Sequence, residues 1–120
     1  MQKHQPRKKT AMIISNIPFE ATDWEDVPSE RHTGDTGYAD WKVRQYGDIR
    51  VRVVEYSPNY KADHWCSKGH ILYCLQGEMT TELKDGRVVE LHKGMSYHVE
   101  DEHFPHRSST KNGAILFIVD

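Results

Sequence analysis

From Tyr38 onward the chain is built of short runs in which apolar and polar side chains alternate. Ile49, Val51 and Val53 alternate with Arg50 and Arg52 before Val54, a period of two that belongs to a strand with unlike faces. Residues 41–46 and 49–56 flank Gly47-Asp48, a pair suited to a tight hairpin. Residues 71–75 and 79–83 flank Gly77, residues 87–91 follow the turn Lys84-Asp85-Gly86, and residues 95–99 follow Gly94. Residues 114–119 form a strongly apolar run at the end of the chain. Helical periodicity is nowhere sustained. Eight or so short strands at this spacing predict an all-β sandwich or barrel.

The first third is less regular. Residues 13–19 read as a short first strand ending at Pro18. Residues 20–37 carry Pro28, Gly34, Gly37 and many polar side chains, so a long irregular segment is expected, with one helical turn after the cap signal Thr22-Asp23. Lys3, Arg7, Lys8, Lys9 and Pro6 mark residues 1–11 as a flexible tail, leaving residues 12–120 as one barrel domain.

Composition narrows the function classes. A chain of 120 residues is one domain's worth. The formal charge of −2 gives no support to nucleic-acid binding. No apolar run approaches the roughly 20 residues of a membrane helix. Cys66 and Cys74 are too few for a disulfide scaffold, so both thiols are expected free in a reducing, cytoplasmic compartment. Eight histidines are many for this length and justify a search for a metal site.

The densest chemistry lies between Asp63 and His70. His64 and Cys66 are two apart, which on a strand puts both on one face. His70 opens an apolar strand, and His106, after Pro105, is the best candidate for a donor from elsewhere. Metal binding needs such donors to converge from rigid elements.

The spacing resembles the first motif of the cupins: Gly, five residues, His, one, His, three or four, Glu, six, Gly. Pro58 stands at the first Gly, and His64, Cys66, His70 and Gly77 fall in register. The second motif is matched by Gly94 and His106 if one extra residue separates them, while its Pro and second Gly are missing. The cluster Asp63-His64-Trp65-Cys66 also resembles a small cupin subgroup with an Asp-His-Cys-Trp signature. The resemblance covers roughly residues 48–120. It implies a jelly-roll barrel, metal ligands His64, Cys66, His70 and His106 near one mouth, and a homodimer. Cys66 replaces the second His and His70 the Glu, so the implied set is three imidazoles and one thiolate. Thiolate is soft and favours zinc, then iron, with nickel or copper behind. Four closed ligands would look structural; three His with an open position would look catalytic.

Two classes of function follow. One is a metal-dependent enzyme acting on a small polar molecule, of dioxygenase, isomerase or lyase type. The other is a non-catalytic module that binds metal or a small ligand. Asp63 is a candidate to orient a ligand imidazole. Cys74 shares the His70 face and is expected in the core. His98, His103, His92 and His32 are expected at the surface, although His98 could face the pocket, His103 could substitute for His106, and His98 or Tyr97 could serve as an acid–base group. Arg50 and Arg52 share one strand face, expected to be solvated; the alternative is an inward pair that binds a carboxylate.

Overall fold

A computed structural model describes residues 13–120; the expected tail at residues 1–11 lies outside them. Eight strands are formed among the described residues: β1 (Glu30–Thr33), β2 (Tyr38–Tyr46), β3 (Ile49–Tyr56), β4 (His70–Leu83), β5 (Val88–His92), β6 (Ser96–Val99), β7 (His106–Ser109) and β8 (Ala114–Val119). All pairings between them are antiparallel. The order β1-β2-β3-β8 continues onto the first half of β4, which β6 flanks on its other side. The second half of β4 pairs with β5 and β7. One strand thus belongs to both layers of a jelly roll, and the core lies between them.

That strand corrects the sequence expectation of two strands divided at Gly77. Leu72 and Cys74 point inward, then Met79 and Thr81 do, so the inward phase changes from even to odd. The pairing with β8 slips between Cys74 and Gln76, and Gly77 adopts φ 81°. One extra residue in a strand, next to a left-handed glycine, is a β-bulge, and it bends the strand from one layer into the other. A Cβ at Gly77 would collide with the carbonyl oxygen of Gly113.

Residues 13–19 do not form the expected strand. They find no ladder partner, Asn16 turns to φ 62°, and Phe19 is 98% exposed. The expected turn does follow: Trp24–Asp26 is a 3₁₀ turn whose N-cap Asp23 accepts a hydrogen bond from the Glu25 amide at 3.1 Å. The core is Val54, Leu72, Cys74, Met79, Leu91, Leu116 and Ile118 with Ala39, Tyr56 and Ala114. Burial of each large apolar side chain contributes about 1.5–3 kcal/mol. The strands that carry them therefore hold the walls in which the site is set.

Candidate metal centre and its cavity

Residues 57–69 cross from β3 to β4 without forming a strand. Isolated bridges, among them Lys61 to Ser109 and Cys66 to His106, and scattered backbone hydrogen bonds tie this segment down. At the second, Cys66 and His106 exchange both backbone hydrogen bonds, at 2.7 and 2.9 Å. The segment is not a strand, so, contrary to expectation, His64 and Cys66 share no strand face, although both line the same cavity. The Cys66 side chain turns toward β7, while His64 stays at the rim with 73% of its side chain exposed.

His70 and His106 come together inside. Their side chains are buried on β4 and β7, the ring centroids are 4.9 Å apart, and the planes are nearly perpendicular at 80°. His106 Nδ1 donates to the Phe104 carbonyl at 2.8 Å, which leaves Nε2 with the lone pair, buried and unpartnered. The Nε2 of His70 lies 3.2 Å from the Tyr97 hydroxyl, and its Nδ1 faces Asp120 Oδ2 at 3.8 Å, too far for a hydrogen bond. At the rim, His64 Nδ1 contacts Asp63 Oδ1 at 2.7 Å, the orienting role expected of Asp63. In all three histidines Nδ1 faces an acceptor.

The site's electrostatics follow from these neighbours. The His106 imidazole draws the Cys66 thiol below its usual value, and the thiol in turn raises His106. Burial pushes His70 down, against the pull of Asp120. Burial pushes Tyr97 far up, so its hydroxyl stays protonated. Asp120 is pushed up by burial, but His70, Arg50 and Arg52 outweigh that and hold it far below the ordinary carboxylate range.

Arg50 and Arg52 overturn the expectation of a solvated face. Both point into the barrel, because Val54 and Tyr56 on the same face of β3 belong to the core. Arg50 grips Asp120 with two hydrogen bonds, at 2.8 and 3.0 Å, and Arg52 adds a third at 2.9 Å. The inward carboxylate partner is thus the chain's own Asp120. A cavity of about 210 Å³ opens beside them, lined by Arg50, Arg52, Trp41, His64, Cys66, His70, Tyr97 and His106 among others. Cys74 is core, as expected, and its thiol is pushed up by burial. His98, His92 and His103 are exposed; the last contacts Glu100. His32 stacks on Trp41 with centroids 4.0 Å apart.

No family model matches the sequence, and no curated protein matches it. Solved structures do. An RmlC-like cupin from Shewanella frigidimarina is 16% identical, with a TM-score of 0.68, covering 86% of this chain and 90% of that one. The fold is that of the cupins. The polyketide cyclase RemF from Streptomyces resistomycificus is 22% identical, TM-score 0.69, covering 85% of this chain and 78% of its own. Fe(II)-HppE with the alternative substrate (S)-1-HPP is 18% identical, TM-score 0.70, covering 85% of this chain and 60% of its own. At these identities the likeness is one of fold.

The cupin barrel puts four expected donors around one mouth without closing them on a point. Among the described residues no group of three His, Cys, Asp or Glu side chains is already arranged to hold a metal ion. The donors nevertheless fit one chemically. The buried His106 Nε2 makes no hydrogen bond of good geometry, and the Cys66 thiol is the group that interacts with its ring. Two further imidazoles and a thiol of lowered value surround the same cavity.

Proposed function

We propose that this cupin barrel is a metal-dependent site for a small polar molecule, with His70, His106 and Cys66 holding the metal and His64 joining from the rim. The observation that carries the proposal is the unpartnered His106 Nε2 beside His70, Cys66 and a cavity. His64 is exposed, and exposed side chains change rotamer in picoseconds to nanoseconds, so no slow step bars its turning inward. Imidazoles with one thiolate suit zinc first; iron(II) is named in the HppE neighbour, and nickel or copper follow. When bound, such a metal would polarise a carbonyl or activate water or oxygen.

The chain's own groups do the rest. Asp63 and the Phe104 carbonyl accept from the Nδ1 atoms of His64 and His106 and so leave their Nε2 atoms for the site, while His70 Nε2 meets the Tyr97 hydroxyl. Tyr97 keeps its proton at neutral pH and presents a hydroxyl to a ligand near His70. Dioxygenase, isomerase and lyase reactions are all compatible with this arrangement. A second function, a non-catalytic metal or small-ligand sensor, is favoured by one observation: no carboxylate side chain lines the cavity to serve as a general base.

On the same terms the order Asp63-His64-Trp65-Cys66, with its Asp63–His64 contact, supports a place in the Asp-His-Cys-Trp subgroup. The free Cys66 and Cys74 support a reducing, cytoplasmic setting. The exposed Ile71, Tyr73 and Leu75 along β4 support a homodimer. The test is elemental analysis of the purified protein. About one zinc or iron per chain is expected, falling severalfold in His106→Ala and in Cys66→Ser. A wild-type protein free of transition metal, and not stabilised against heat by added zinc or iron(II), would remove the proposal.

A further inference from the structure

We propose that the cavity beside the histidines is an anion site whose ligand is a small carboxylate with an apolar body. The inference rests on the small-molecule function proposed above but not on the metal. It starts from Arg52, whose side chain is only 8% exposed. One of its donors reaches Asp120, while its buried Nε–H has no partner. Arg50 is satisfied by both oxygens of that same carboxylate. Two guanidinium charges therefore share one carboxylate, and a positive charge is left over in the wall.

The rest of the wall adds no carboxylate. Arg107 is the third guanidinium on the cavity, paired with the half-exposed Glu82 at 2.9 Å and stacked over Trp65. No Asp or Glu lines the space. An uncompensated buried cation in a low-dielectric wall attracts an anion strongly, and a carboxylate matches guanidinium geometry in a way a spherical ion does not.

The body of the ligand is set by the remaining walls. Arg52 lies over the Trp41 ring at 4.4 Å, and Tyr56 and Tyr60 are stacked with centroids 4.4 Å apart. These rings are taken up by one another and by Arg52 and His32, and with Val54, Leu72 and Ile118 they make the apolar part of the lining. The volume of about 210 Å³ is below the roughly 300–1,000 Å³ of drug-sized pockets, so the occupant is a small metabolite rather than a polymer end or a nucleotide.

The test is calorimetric titration of the full chain, after metal removal with a chelator, with benzoate and with benzamide, its neutral isostere. Benzoate is expected to bind at least about tenfold more tightly, and Arg52→Gln to weaken it by about 10- to 100-fold. Because Arg52→Gln could unfold the barrel, the wild-type protein provides an independent readout: benzoate should shift the Arg52 Nε–H resonance in a nitrogen-15 spectrum, and benzamide should not. Equal binding of benzoate and benzamide, or no shift at Arg52, overturns the proposal. Benzoate binding to a protein that takes up no metal upholds the anion site and removes the metal centre. Metal uptake with no benzoate binding, in either the metal-free or the zinc-loaded protein, does the reverse.

Discussion

The two cysteines lie on opposite sides of a sharp chemical divide inside one small barrel. Cys74 is wholly buried among Leu72, Leu116 and other aliphatic groups, and its thiol is pushed up by burial. Cys66 faces the cavity, beside His106, and its thiol is drawn down. The same strand, β4, serves both regions: His70 opens it at the polar end, and Leu72 and Cys74 continue it into the dry core. Two residues of strand repeat separate a histidine with an unpartnered ring nitrogen from a core of hydrocarbon. The dry end supplies stability and the polar end forgoes some of it, leaving charged and unsatisfied groups where a ligand would complete them.

Thiol reactivity should break this symmetry most widely. In the native protein Ellman's reagent is expected to react with Cys66 at least about 10³-fold faster than with Cys74, whose labelling must await unfolding. Equal rates would mean that the two environments are not distinct. Next in size is Leu116→Ala, which empties a fully buried site in the dry end and should cost about 3 kcal/mol in urea unfolding. It should leave the Cys66 labelling rate unchanged.

At the polar end Asp120→Asn should cost less, about 2 kcal/mol, because Arg50 is partly open to water and can be rehydrated. Its pH signature is specific. The folded-state value of Asp120 lies below the unfolded value of about 3.9, so its contribution is present above that pH and lost as the pH falls. Acid unfolding of Asp120→Asn should therefore be shallower below about pH 4, and an unchanged acid limb would place the stabilising charge elsewhere. Smallest is Asp63→Ala: stability within about 0.5 kcal/mol of wild type, since both partners are exposed, but metal affinity lower by about tenfold.

The dry end was the legible one. Residues 114–119, read as a strongly apolar strand, form one, and the hairpin at Gly47-Asp48 stands where its turn residues place it. The short strands β1 and β7 were not legible. The β7 sequence His106-Arg107-Ser108-Ser109 carries no apolar alternation, because the face it turns inward meets a wet cavity. The edge strand β1, Glu30–Thr33, is polar throughout and is held to β2 in part by the Arg31–Asp40 pair. The bulge in β4 was invisible because each half alternates correctly by itself.

Of the candidate site, His70, His106 and Cys66 line one cavity with His64 at its rim, but the described residues hold no ready group of three metal donors. Asp120 was missed, although its position carried a signal. Ala114, Leu116 and Ile118 point inward, and a residue two further along shares their side of the chain. A lone carboxylate there, with Arg50 and Arg52 on the neighbouring strand, needs those arginines inside as well.

The most direct measurement of the polar end is a cobalt(II) titration of the metal-free protein followed by absorption. The expected result is saturation near one equivalent, with a thiolate-to-metal charge-transfer band that disappears in Cys66→Ser while the visible ligand-field bands persist. Loss of all bands in His70→Ala and His106→Ala should accompany it. A wild-type spectrum that stays that of hexaaqua cobalt throughout would contradict the account: the imidazoles would then be buried without a metal to share.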